Sequence, residues 1–378
     1  MSTEYNVVIV GAGIPGLYLA RELAKKNKKV MVIDKSKEVG GENYSTAGIP
    51  IETIKEFSLP PEGVASYINK YTIATSSVSA SKSSSEYRAV VLDFKKMKIL
   101  LAKEAQEFGA EIIWDTEFVR ENNCLITSRG NFTADYYVDA SGSDAVLFNE
   151  LNVGKNDYPL SEGLEYILEI ESGDENFSKC YKKAISIIWD TKICPNGYAW
   201  VFYFGNNQYK VGVCEFNCGN NSTKILEERL ENFYTWLNIG HSSKIIEKHG
   251  SKKNIRTLPK QVFRNNILAI GDSICAINPL FGEGIRQGLY SAKFALESIM
   301  KNNLSQYQKN WINYNGFRRK TSELMARKIY SNQSQKFFTE FVKLADEHFT
   351  IDDIHNMAFY YKFEILLVHP TSCLKMLF

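Results

Sequence analysis

With 378 residues and 44% hydrophobic content, the chain is long enough to bury a sizeable core and to divide into two connected domains. Its 45 basic and 43 acidic side chains nearly cancel to a formal +2, which excludes a global field directed at nucleic acid or another acidic polymer. Seven cysteines, at 124, 180, 194, 214, 218, 275 and 373, lack the paired short spacings of a zinc site, and their odd number leaves one outside any disulfide scheme. A reducing cytoplasm is the simplest compartment.

The opening MSTEYNVVIVGAG enters a strand at once, without the basic and apolar regions of a secretory leader. No run reaches the roughly 18 apolar residues of a membrane-spanning helix. The expectation is a cytoplasmic protein, with peripheral contact to the inner face of the membrane as its only further option.

Residues Asn6 to Val10 are the apolar, β-branched run of a strand buried on both faces. Gly11-Ala12-Gly13-Ile14-Pro15-Gly16 follows, then a helix from Leu17 to Lys26 and a second strand from Lys29 to Ile33 ending at Asp34. In such a βαβ unit the first glycine permits a tight turn, the second lets backbone approach a pyrophosphate, and the third lets helix and strand pack closely. The helix N-terminus offers N–H groups to phosphate. Asp34 is placed to accept hydrogen bonds from an adenosine ribose and disfavours a 2′-phosphate. Up to this point the dinucleotide is NAD or FAD.

Residues 74–86, ATSSVSASKSSSE, are Ser-rich and read as a solvated loop or flap beside the first lobe. Strand character returns in Gly163–Glu171, Ile185–Asp190, Ala199–Phe204 and Tyr209–Phe216, joined by short polar turns, which predicts an antiparallel sheet. Thr223 to Ile239 reads as a helix over its outer face. Alternate aromatics Tyr198, Trp200 and Phe202 mark one face of a strand.

Asn266 to Ala292, NILAIGDSICAINPLFGEGIRQGLYSA, is a second strand–loop–helix unit. Asp272 is a candidate for a ribitol hydroxyl, and Asn278 to Gly284 with the following helix N-terminus are candidates to face a flavin ring and stabilise negative charge on it. From Ser291 onward the pattern is helical. The Phe-, Tyr-, Leu- and Met-rich stretch Phe338–Phe378 is either core packing, a dimer face or a lipid-facing surface. The five histidines, at 241, 249, 348, 355 and 369, show no metal-ligand spacing and are expected to be structural or surface residues.

An N-terminal GxGxxG paired with a distal Gly271-Asp272 and a Pro279-x-x-Gly282-x-Gly284 loop resembles the glutathione-reductase-type, p-hydroxybenzoate-hydroxylase-like flavoproteins. Ala134–Ser143 is similar to the strand and turn that close the first nucleotide lobe of that family. Pro195-Asn196-Gly197-Tyr198-Ala199-Trp200-Val201-Phe202-Tyr203 resembles the P-x-x-Y-x-W-x-F-P signature of geranylgeranyl reductases, with Tyr203 where the family has proline. Two further departures are visible. The loop Gly40–Gly48 lacks the cysteine of many relatives, and the position at which relatives place a flavin-contacting arginine falls on Phe94, beside Asp93, with Lys95 and Lys96 as nearby cations.

The resemblance implies an α/β (α+β two-domain) fold: a Rossmann-like FAD-binding domain (1–73 and 87–150, returning at 259–300), the Ser-rich loop 74–86, an inserted antiparallel-sheet substrate domain (151–258) and a C-terminal helical region (301–378). It implies FAD contacts from Gly11, Ala12, Gly13, Ile14, Pro15, Gly16, Asp34, Lys35, Gly41, Gly271, Asp272, Pro279, Gly282, Gly284 and Ile285. Tyr198, Trp200 and Phe202 become the substrate wall, no metal is expected, and oligomeric state stays open. The implied reaction is reduction of isolated double bonds in an isoprenoid lipid by hydride from flavin N5. No second GxGxxG unit holds a resident nicotinamide, so NAD(P)H or ferredoxin is an external donor. Tyr44 and Glu283 are the candidates for the proton donor. Rival readings on the same scaffold are a flavin monooxygenase, a halogenase (whose Trp-x-Trp-type signature is unmatched), a lycopene cyclase and a flavin redox sensor without turnover.

Overall fold

The computed structural model describes residues 3–41, 45–121, 124–148, 160–171, 175–216, 222–239, 242–254, 261–331 and 334–369. The first unit is as the glycine pattern predicts: β1 (Thr3–Val10), α1 (Ile14–Ala24) and β2 (Val30–Ile33), with β1 and β2 parallel. Val7, Val8 and Ile9 are fully buried because helices cover one face of this sheet and side chains from neighbouring strands fill the other.

The chain then leaves that lobe. It forms β3 (Gly48–Pro50), α2 (Glu52–Glu56), β4 (Val64–Ile68), β5 (Lys70–Ala74), β6 (Ser79–Ser83) and β7 (Ala89–Leu92) before α3 (Phe94–Glu107) returns to pack on α1. Asp93 caps α3 by accepting from Lys96 N at 2.9 Å. β8 (Glu111–Ile113), the hairpin β9 (Phe118–Glu121) and β10 (Cys124–Thr127), and β11 (Gly130–Asp139) follow. With β17 (Phe263–Arg264) and β18 (Ile267–Ala269) from later in the chain, strand order in the nucleotide sheet is β17-β18-β11-β1-β2-β8, with β9 and β10 attached at β11 and parallel pairing from β18 through β8.

The second lobe is built from β12 (Leu160–Ile170), α4 (Glu175–Tyr181), β13 (Ala184–Ile188), β14 (Gly197–Gly205), β15 (Gln208–Phe216), α5 (Ser222–Leu237) and β16 (Ser243–Asn254). These strands join β5 and β6 in one seven-stranded sheet, β16-β12-β15-β14-β13-β5-β6, antiparallel except for β13 on β5. Two expectations are corrected here. Ser79–Ser83 is an edge strand, not a loop, because its hydrogen bonds go to β5 and its one buried residue, Ala80, packs against the C-terminal helices. The first lobe therefore does not run unbroken to residue 73: β5 belongs to the seven-stranded sheet, as does β6 from the segment assigned to a loop.

β17 (Phe263–Arg264) and β18 (Ile267–Ala269) return the chain to the nucleotide sheet, and α6 (Ile285–Met300) lies beside α1. The remaining helices are α7 (Leu304–Ser331), kinked at Gly316 where φ is 36°, α8 (Gln335–His348), α9 (Ile351–Tyr360) and α10 (Glu364–Val368). Phe338, Phe341, Phe349, Met357 and Phe359 are buried against one face of the large sheet. Up to Val368 the aromatic richness of the tail is core packing, whereas α4 and α5 cover the opposite face.

Candidate active site

Gly11 and Gly16 let the first turn close on itself: a Cβ on Gly11 would stand 2.3 Å from Ala140 O, and one on Gly16 would stand 2.3 Å from Gly11 O. Gly13 differs, since a Cβ there would meet nothing nearer than Pro15 Cδ at 3.9 Å. The space above it is open, as approach of a pyrophosphate requires. Asp34 shares the adjoining recess with Gly13, Gly41 and Lys98, its two carboxylate oxygens accepting from Ala12 N at 2.6 Å and Ser36 N at 2.8 Å. Each oxygen keeps lone-pair capacity for a ribose hydroxyl. Lys35 is turned away, pairing with Asp144 at 2.9 Å with both side chains mostly exposed.

The distal segment docks on this unit. Asp139, fully buried at the end of β11, accepts from Ser141 N and Oγ, Leu147 N and Phe148 N, and Ser273 Oγ donates to it from the distal turn at 3.0 Å. Pro15 lies over Gly271 and Gly288, where a Cβ on Gly288 would meet its Cγ at 2.6 Å. Asp272 Oδ1 is close to Gly284, within 3.3 Å of where a Cβ would stand. Arg319 of α7, 1% exposed, donates to the carbonyls of Cys275 at 2.7 Å and Ile277 at 2.6 Å and pins the loop from behind. The two glycine-rich turns thus pack together through Pro15, and the residues fit a bound FAD.

Next to that region lies a cavity between the large sheet and the loop Gly282-Glu283-Gly284. Tyr198, Trp200 and Phe202 project into it from β14, while Ala199 and Val201 turn to the opposite face. Tyr198 Oη donates to Phe281 O at 3.1 Å, tying the wall to the loop. Ile185, Ile187, Ile277, Phe281 and Phe359 add to its apolar lining. Ile285 and Gly282 also line it, whereas Pro279 is buried behind the loop.

Glu283 changes the expected role of the α6 terminus. Its Oε1 accepts from Arg286 N at 2.7 Å and its Oε2 from Gln287 Nε2 at 3.2 Å, so this chain's own carboxyl occupies a first-turn donor that was expected to serve the flavin. Burial raises its pKa to about 7, against the smaller lowering by the Arg286 N–H and charge.

Residues 9–58 match the family model of an NAD(P)-binding Rossmann-like domain. A digeranylgeranylglycerophospholipid reductase of Haloferax volcanii is 27% identical over 314 residues, covering 78% of this chain and 75% of the relative. Among solved structures, a geranylgeranyl bacteriochlorophyll reductase-like protein from Thermoplasma acidophilum superposes with a TM-score of 0.82 at 20% identity, covering 98% of this chain and 100% of the other. The chain resembles geranylgeranyl reductases in sequence and in fold. The underlying flavoprotein fold is broader than that family, since p-nitrophenol 4-monooxygenase from Pseudomonas putida has a TM-score of 0.71 at 14% identity, with 92% and 94% of the two chains covered.

This geranylgeranyl reductase-like chain also brings to the site residues that its sequence pattern did not single out. Lys98 lies one helical turn beyond Phe94 on α3, 4% exposed, its ammonium over the Phe94 ring at 5.0 Å and in the same recess as Asp34. The i, i+4 spacing from Phe94 is the signal that could have found it. Burial pushes the Lys98 pKa down to about 8. His249, expected to be a structural or surface residue, lines the same cavity as Trp200, together with Glu165, Ser45 and Thr46. Tyr44 lies outside the described residues.

Proposed function

We propose that the protein is an FAD-dependent reductase of carbon–carbon double bonds in isoprenoid lipid chains. The observation that carries this reading is the aromatic wall Tyr198-Trp200-Phe202, its first two rings buried, in an apolar cavity bordered by the loop Gly282 to Gly284 that Asp272 also approaches. FAD, when bound, supplies the hydride such a reduction needs. Gly13, Asp34, Gly41, Asp272 and Lys98 would hold the dinucleotide. Trp200 and Phe202 orient an apolar chain and exclude water, which matters because an isolated alkene offers no carbonyl through which the protein could stabilise charge.

The electron donor in this reading is external, either NAD(P)H or ferredoxin. The substrate would reach the cavity from a membrane surface, and Ile312, Phe317 and Leu324 of α7, all more than half exposed, are the apolar side chains available for that contact. Among the described residues no helix is long and apolar enough to cross a membrane. The domain assignment offered is a nucleotide lobe from β1, β2, β8–β11 and β17–α6, with the large sheet as the substrate lobe.

Trp200→Ala tests the wall. The variant is expected to retain FAD but to lose at least about tenfold in the rate at which a geranylgeranyl lipid oxidises the reduced protein without oxygen. An unchanged rate removes Trp200 from the wall. Substrate-dependent oxygen consumption with a hydroxylated product would instead favour the monooxygenase reading, which the same fold supports.

A further inference from the structure

Saturating an isolated double bond adds a hydride to one carbon and a proton to the other, and the proton needs a donor within reach of the cavity. The cavity is apolar at most of its surface, with Glu283 on its loop side and, on its sheet side, a polar end built as a row across the large sheet. Trp200 pairs with Gly212, Gly212 with Glu165, and Glu165 with His249, so that β14, β15, β12 and β16 present these four residues side by side on one face. Gly212 leaves room for the indole to lie over the backbone, since a Cβ there would stand 2.2 Å from Trp200 Cζ2.

The Trp200 indole N–H consequently reaches Glu165 Oε2 at 2.9 Å, and Thr46 Oγ1 donates to the same oxygen at 2.6 Å. Glu165 Oε1 has no such donor among the described residues. On the far side His249 Nε2 stands 3.0 Å from Glu247 Oε2, and Glu247 is half-exposed while Glu165 and His249 are buried. Lys210 of β15, also buried, donates to Ser45 O at 3.0 Å and Thr46 O at 3.2 Å and so fixes the segment that carries Thr46.

We propose that Glu165 is the acid that protonates the substrate carbon, and that His249 and Glu247 form the path by which it is recharged from water. This rests on the reductase reading above. Glu165 Oε1–H breaks as the new C–H bond forms with one π-bond carbon, and FAD, when bound, would supply the hydride for the other carbon with electrons from the external nicotinamide or ferredoxin donor. The Glu165 carboxylate left behind is held by Trp200 and Thr46, then takes a proton through His249, whose charged neighbours are Glu165 on β12, Glu247 on β16 and Lys210 on β15.

The test compares wild type with Glu165→Gln, His249→Gln and, as a control on an exposed position of the same strand, Glu169→Gln. The amide at 165 can still accept from Trp200 and Thr46, so FAD content and binding of a digeranylgeranyl glycerolipid in detergent micelles stay unchanged. Anaerobic reoxidation of the reduced protein by that lipid slows about 100-fold or more in Glu165→Gln, slows in His249→Gln, and is unaltered in Glu169→Gln. Independently of turnover, the NMR signal of the Trp200 indole N–H, which donates to Glu165, moves with pH in wild type and is indifferent to pH in Glu165→Gln, because only a carboxyl at that place can lose and regain a proton. A wild-type rate in Glu165→Gln, or a wild-type indole signal that does not move with pH, overturns the relay alone. A wild-type protein that the lipid does not reoxidise overturns the reductase reading, and the catalytic role of Glu165 with it.

Discussion

Single side chains decide whether the nucleotide region can close around its ligand. At Gly13 the cradle is open only because no side chain is there, so Gly13→Val should fold normally but purify without FAD, as absorbance and thermal unfolding of the purified variant would show. Asp139 gathers five donors in a dry site; Asp139→Ala leaves them unpartnered and should lower stability by about 3 kcal/mol, read from chemical denaturation. Glu283 gives a pH signature. With its folded-state pKa raised from 4.5 to about 7, its contribution to stability is complete below the lower value and is lost as pH rises through the upper one. Glu283→Gln should therefore be more stable than wild type at pH 8, by up to roughly 3 kcal/mol, and the difference should vanish near pH 4; equal difference at both values would refute the shift.

At the level of elements, the sequence marks its structure wherever one face is apolar. Tyr198, Trp200 and Phe202 alternate with the buried Ala199 and Val201, and their strand forms as the alternation predicts. The βαβ unit is equally plain because glycine spacing and a doubly buried strand coincide. β6 and β16 escape the same logic. In Ser-Ala-Ser-Lys-Ser only Ala80 is buried, and Ser243–Asn254 is a largely polar edge strand whose pairing with β12 is made by backbone. His249 was overlooked for that reason, as its place in the cavity follows from register and not from composition. Ala80→Asp should loosen α8 from the sheet and destabilise the protein by about 3 kcal/mol, while Ser79→Asp, on the solvent side of the same strand, should have no effect in the same denaturation measurement.

Across the whole molecule, function depends on segments distant in sequence meeting at one place. β5 and β6 leave the nucleotide lobe to complete the seven-stranded sheet, the distal loop returns to roof the cavity, and α7 to α9 close it from behind through Arg319 and Phe359. The two glycine motifs and the aromatic signature made the cofactor region and one cavity wall legible from sequence. The polar end of the cavity was not legible, because Thr46, Glu165 and His249 become neighbours only through sheet register and a loop pinned by Lys210. The central claim is tested most directly by reducing the FAD-loaded protein with dithionite in the absence of oxygen, adding a geranylgeranyl lipid, and following flavin absorbance and product mass together. Reoxidation with a gain of two hydrogens per double bond is the predicted result; a flavin that stays reduced until oxygen is admitted would contradict it.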